Sequence, residues 1–194
     1  MNTLKAEKRS MDVKAKKLRR EGFVTGNLFG REIEGSIPLK FTKKEIEVLL
    51  KNNNKGSQVM LELDGKTYDA LIKEVDYNPL AHTVEEVDFQ ALVSNEMVHS
   101  TAEIILENEE KVMSGVLQDE LKEVAYKALP ADLVDKIKVD VAGMKIGDTL
   151  RVKDLEIAKN KNIHITTDPE AVVATVTPVH NVVPETETEA EETA

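Results

Sequence analysis

Residues 58–77 read QVMLELDGKTYDALIKEVDY: two strand-like runs, QVMLEL (58–63) and KTYDALIKEVDY (66–77), meeting at Asp64-Gly65. Asp-Gly between two such runs is among the strongest local hairpin signals, because both turn residues tolerate the left-handed backbone that a tight hairpin needs. Working outward, NPLAH is a turn, and TVEEVDFQALV (83–93) continues the pattern as another strand. Within VEEVDF (84–89), a period of two places Glu86 and Asp88 on one face, opposite Val87. Upstream, VTGNLFG (24–30) and REIEGSIPLKF (31–41) are apolar segments broken by Gly30, Gly35 and Pro38. Thr42-Lys43-Lys44-Glu45 has the spacing of a capping box and predicts a helix of about ten residues, stopped at Asn52-Asn53-Asn54-Lys55-Gly56. Many short strands with one helix predict a small β-barrel over residues 1–93.

SNE (94–96) has turn character and marks the expected domain boundary. Beyond it, VHSTAEIIL (98–106) and EKVMSGVL (110–117) predict a hairpin about Glu107-Asn108-Glu109. A Pro turn precedes the alternation Ile137, Val139, Val141, Ile146-Gly147-Asp148 forms a further turn, and AVVATVTPV (171–179) is a last strand. The expected fold class is mainly β with short helices: an N-terminal small β-barrel followed by a second β-rich domain over 94–180. Residues 181–194, with five Glu and no basic residue, are expected to be a disordered acidic tail.

Composition narrows the chemistry. The chain has 194 residues and is 41% hydrophobic, enough for a packed core, but only 4% aromatic and without Trp. No cysteine is present, which removes disulfides, thiolate catalysis and Cys-type zinc sites and fits a cytoplasmic setting. The first residues, MNTLKAEKRS, lack an apolar signal-peptide core, and no apolar run reaches the ~18 residues of a membrane span. The four histidines are scattered, so no metal site is expected. Gly65-Lys66-Thr67 ends like a phosphate loop, but Met60 stands where its first glycine belongs. No serine sits in a nucleophile elbow, and the paired acids read best as solvated surface, so no catalytic residue, cofactor or small-molecule substrate is expected.

The net charge of -10 is unevenly spread. Residues 1–20 hold eight basic side chains (Lys5, Lys8, Arg9, Lys14, Lys16, Lys17, Arg19 and Arg20) against two acidic ones, whereas residues 93–194 hold 10 basic and 21 acidic. A cationic patch can neutralise phosphates and release their counterions, and arginine can fork onto phosphate or guanine edges. A solubilising terminus is an equally open reading of composition alone.

The order of the segments carries a resemblance. KAKKLRREGFVTGNLFG (14–30) resembles the "LR-x-x-G-x-VP-A-x-x-YG" opening of the bacterial 5S rRNA-binding ribosomal proteins of the general stress protein Ctc family. VDYNPLAHTVEEVDF (75–89) resembles that family's "VQ-x-HP … HVDF" strand pair. LPADLVDKIKVDVAGMKIGDTLRVKDL (129–155) is similar to the pattern of its long-form C-terminal domain, with Pro130, Val139-Asp140, Ile146-Gly147-Asp148 and Asp154-Leu155 in register. The resemblance covers residues 3 to about 179. It implies a barrel that binds 5S rRNA as a structural part of the large ribosomal subunit, with neighbouring ribosomal proteins as further partners. RNA contacts carried over by position are Arg9, Lys16, Lys17, Arg19, Phe29 and Asp88, with Lys14 and Arg20 completing the basic run.

The departures fall on the same surface. Asp76 replaces the family's Gln, Asn78 and Glu86 replace its two His, Thr25 its Pro and Phe29 its Tyr. Carboxylates repel phosphates, so weakened rRNA binding is one expectation. A diverged stress-response interaction protein with weak or lost rRNA binding is the alternative.

Overall fold

The computed structural model describes residues 3–112 and 115–178. The acidic tail, His180 and Ser114 lie outside them.

The first half closes on itself. Strands β1 (Thr3–Lys8), β2 (Phe23–Phe29), β3 (Ser36–Thr42), β4 (Gln58–Leu63), β5 (Lys66–Asn78) and β6 (Thr83–Ala91) form a closed barrel in the order β1-β3-β2-β6-β5-β4. The pairs β1–β4 and β2–β6 are parallel and the rest antiparallel. Closure leaves no strand edge unpaired. The Asp64-Gly65 turn has both residues at positive φ, 51° and 76°, and Val59, Leu61 and Leu63 of β4 alternate into the core. There they meet Leu28, Leu39, Phe41, Ile72, Val87 and Phe89, with Phe41 and Phe89 tilted against each other at 5.4 Å between centroids. Gly26 permits the β2–β6 contact, since a Cβ at that position would stand 2.0 Å from the carbonyl oxygen of Val87.

Two helices complete this half. Helix α2 (Lys43–Asn52) begins with the expected capping box: the Thr42 hydroxyl accepts from the Glu45 amide, and the Glu45 carboxylate accepts from the Thr42 amide. Its ten residues end at Asn52, inside the expected stop. Asn53 is extended, and the left-handed residue is Gly56 at φ 89°. Helix α1 (Ala15–Arg20) and strand β1 arise from the basic run, for which the sequence pattern assigns no element. Leu18 is the buried anchor of α1, and Gly22 at φ 89° turns the chain from it into β2.

From Val98 the strands form two open sheets. One has the order β10-β7-β9-β12, from β7 (Val98–Glu107), β9 (Glu123–Ala128), β10 (Lys136–Asp140) and β12 (His164–Ile165). The other has the order β11-β13-β8, from β8 (Val116–Asp119), β11 (Thr149–Arg151) and β13 (Val172–Thr177). The expected hairpin about Glu107-Asn108-Glu109 is not formed. Asn108 is left-handed, as a hairpin turn would need, but β7 pairs with β9 and β10 while β8 pairs with β13. This core centres on Tyr126, whose hydroxyl donates to the Val134 carbonyl at 2.7 Å and accepts from the Val134 amide at 2.8 Å.

Candidate nucleic-acid interface

Strand β6 does not alternate cleanly through VEEVDF. Asp76 of β5 faces Glu86, but the next residue, Tyr77, faces Val84, so Glu85 is an extra residue on β6. This bulge lets Val84 and Val87 both reach the barrel core while Glu85 and Glu86 stay on the outer face. The expected pairing of Glu86 with Asp88 on one face stands. Strict alternation, which would send Glu85 inward, does not.

That outer face concentrates acid. Asp76 lies opposite Glu86 and Glu74 opposite Asp88, and the four carboxylates line one cavity of about 110 Å³. Partial burial pushes the Glu86 carboxyl above its ordinary range, and neighbouring Asp88 and Asp76 push the same way against Arg19 and Arg9. Asn27 on β2 holds the pair together. Its side-chain amide donates to Glu86 at 3.3 Å and to Asp88 at 3.1 Å, and its backbone amide donates to the same Asp88 oxygen at 2.9 Å. Asp88 is therefore a fixed acceptor, clamped by one oxygen.

The basic segment packs beside this face. Arg19 reaches from α1 to Glu85 at 2.5 Å, and the other Glu85 oxygen accepts from Asn78 at 2.8 Å. Asn78 also accepts, through its side-chain oxygen, from the amides of Leu80 and Ala81, tying the β5–β6 turn to the same network. Two of the departures thus have internal partners: Asn78 supports Glu85, and Glu86 is held by Asn27. Arg9 donates to the Val13 carbonyl at 3.2 Å. The Nε atoms of Arg9 and Arg19 are buried and meet no acceptor among the described residues.

The lysines behave differently from these two arginines. Lys14, Lys16 and Arg20 are exposed and form no ion pair among the described residues, while Lys17 reaches Glu21 only at 3.9 Å. Phe29, half-buried, ends β2 opposite Gln90 of β6 and shares the outward-facing period with Asn27. The structure therefore brings Arg9, Arg19 and Asp88 to one site, sets Phe29 at its edge, and leaves Lys14, Lys16, Lys17 and Arg20 on the solvent side of α1. Asn27 and Glu85 are the members that the sequence pattern did not single out. Their partners lie about sixty residues away, and the bulge that exposes Glu85 has no local signature. Among the described residues no group of three or more His, Cys, Asp or Glu is arranged to hold a metal ion, and no helix is long and apolar enough to cross a membrane.

A closed barrel with a basic helix at its rim, followed by a second β-rich region, is a recognisable pairing of parts. Residues 4–89 match the model of the Ribosomal L25p family, and residues 97–180 match that of the ribosomal protein TL5 C-terminal domain. Relatives called large ribosomal subunit protein bL25 align along nearly the whole chain. That of Carboxydothermus hydrogenoformans is 32% identical, covering 93% of this chain and 94% of its own. That of Bacillus velezensis is 31% identical over 92% and 89%, and that of Caldanaerobacter subterraneus 30% over 99% and 97%. The chain belongs to the bL25 family of bacterial large-subunit ribosomal proteins, in its long form with the TL5-type C-terminal domain.

Proposed function

We propose that the protein is a structural, non-catalytic component of the large ribosomal subunit in the bacterial cytoplasm, binding 5S rRNA through α1 and the adjoining β2–β6 face. The observation that carries this reading is the contrast within the basic run. Arg9 and Arg19 are set into the barrel wall, whereas Lys14, Lys16, Lys17 and Arg20 face solvent with their charges unspent or weakly paired. Free cations neutralise phosphates and release counterions, a term that supplies a large share of affinity for nucleic acids. Held arginines and a clamped Asp88 supply fixed donors and an acceptor, which is what base-edge reading needs. Residues 1–93 act as the RNA-binding domain, 94–180 as the Ctc-type domain meeting neighbouring ribosomal proteins, and 181–194 as an acidic extension.

The four carboxylates Glu74, Asp76, Glu86 and Asp88 favour a second reading, a stress-response interaction protein that binds rRNA weakly or not at all. Filter binding with 5S rRNA at low and physiological salt separates the two. The ribosomal reading predicts salt-sensitive, sub-micromolar binding and cosedimentation with large subunits, both weakened in Arg19→Glu. Absence of binding at low salt selects the alternative.

A further inference from the structure

The second half of the chain is acidic as a whole, yet one row across its first sheet is not. On the sheet containing β7, β9 and β12, His99 lies directly opposite Lys127, and Lys127 directly opposite His164. All three are exposed, while Val98, Ser100, Val124 and Tyr126 turn the other way into the interior. Directly paired residues in a sheet carry their Cβ atoms roughly 5 Å apart, so three groups capable of positive charge stand in one row.

The row continues into the barrel. Lys73, the extra residue of a second β5–β6 bulge, donates from Nζ to the His99 carbonyl at 2.8 Å. Lys55 sits in the same cleft of about 270 Å³, which is also lined by Gly56, Ser100, Thr101 and Ala125. The seam that forms this cleft is tight. Ser57 donates to Asp135 at 3.3 Å, Ser100 donates to the Gly56 carbonyl, and a Cβ on Gly56 would stand 1.9 Å from the Thr101 carbonyl oxygen.

Of the three lysines here, only Lys55 has a carboxylate partner among the described residues. Neither Lys73 nor Lys127 forms an ion pair among the described residues, and the Thr101 hydroxyl, buried at the cleft, has no hydrogen-bond partner there. Of the nearby carboxylates, Glu103 takes Asn54, Glu123 stands 3.8 Å from Lys55 and partly offsets it, and Glu74 lines both this cleft and the acid face of the barrel. Burial and then Lys55 lower the Lys73 ammonium, with Glu74 opposing. His99 is lowered by desolvation, then by Lys127 and Lys73. Mutual repulsion of this kind is relieved by an anion seated among the cations.

We propose that Lys55, Lys73, His99, Lys127 and His164 form a second phosphate-binding stripe, which grips backbone phosphates of the same RNA that α1 engages. This rests on the function proposed above and extends it: RNA runs from the barrel rim across the seam, so the second domain is an RNA ligand on this one surface. Inorganic phosphate would satisfy the same chemistry, and the test separates the two sources.

The full-length protein is titrated with 5S rRNA across a salt series, alongside Lys73→Gln/Lys127→Gln and Lys16→Glu/Lys17→Glu. Glutamine can keep the hydrogen bond to the His99 carbonyl, and matching melting curves establish that the variants are folded. The stripe predicts about tenfold weaker binding for the glutamine pair at physiological salt, and a salt slope shallower by about 1.5. In the wild type, the ring resonances of His99 and His164 shift on adding RNA, and shift less with inorganic phosphate at equal phosphate concentration. If the glutamine pair keeps wild-type affinity and slope while the α1 pair loses both, the stripe is refuted and the proposed function survives. If inorganic phosphate moves the rings as far as RNA does, the site is for a small anion and the proposal fails. If the wild type does not bind RNA at low salt, both fall.

Discussion

Helix α1 and the outer face of β5–β6 lie side by side and carry opposite charge, yet the boundary between them is not a simple neutralisation. The arginines that cross it, Arg9 and Arg19, are part-buried and lie close enough to Glu86 to oppose the rise of its carboxyl, and Arg19 is bonded to Glu85. The lysines that remain on α1 are exposed and form no ion pair with the acids of β5 and β6 among the described residues. Charge count alone would treat all these residues as equivalent. Position divides them into groups that can still release counterions and groups already committed to holding the wall.

The division can be broken most visibly from the lysine side. Reversing Lys14, Lys16, Lys17 and Arg20 to Glu together is expected to weaken 5S rRNA binding by more than about a hundredfold at physiological salt, since roughly four phosphate contacts are lost. Melting should hardly change, because exposed charges away from specific contacts contribute little to stability. A parallel loss of folding would show that these side chains support the barrel instead.

Arg19→Glu tests the committed group. It removes the partner of Glu85 and places a second carboxylate against it, so both RNA affinity (about tenfold or more) and thermal stability should fall. Loss of affinity with unchanged melting would mean that the Arg19–Glu85 bridge is not formed in solution. Glu86→His restores the residue found in the resembling motif and removes one carboxylate from the face proposed to meet RNA. A several-fold gain in affinity is expected, largest below pH 6.5, where the imidazole is charged. No change would mean that this face does not meet RNA.

How much of this could be read in advance follows from the range of the interactions. The Asp64-Gly65 hairpin and the Thr42–Glu45 capping box are set by residues within three positions of each other, and both appear in the sequence pattern. Strand β1 and helix α1 have six residues each and draw their stability from Leu4, Ala6 and Leu18 packing on the rest of the chain, so local patterning was too weak to reveal them. Asn108 has the geometry of a hairpin turn but leads into a different sheet, because pairing partners are chosen by the tertiary core. In the site, the cations were legible as composition. The Asn27 clamp and the Arg19–Glu85 bridge join residues 59 to 66 positions apart, and the Glu85 bulge depends on the register of β5.

The smallest effect concerns protons. The Glu86 carboxyl binds its proton more tightly in the folded barrel than in the unfolded chain, so its contribution is fully present below the ordinary carboxylate pKa of about 4.3 and is lost as pH rises through the folded value. Glu86→Gln keeps an acceptor for Asn27 and removes that loss. The variant should be more stable than wild type at pH 7, by no more than about 0.5 kcal/mol for so accessible a group, with the difference vanishing below about pH 4. Denaturant melts at several pH values read this directly, and a variant less stable at pH 7 would show that the Glu86 charge is well supported.

The salt dependence of 5S rRNA binding by the intact chain bears most directly on the central claim. Free cations on α1 predict tight binding at low salt and a log–log slope of about -3 or steeper, flattening by about 3 in the four-residue reversal on α1. A slope near zero, or no binding at the lowest salt, would contradict the assignment of this edge to RNA.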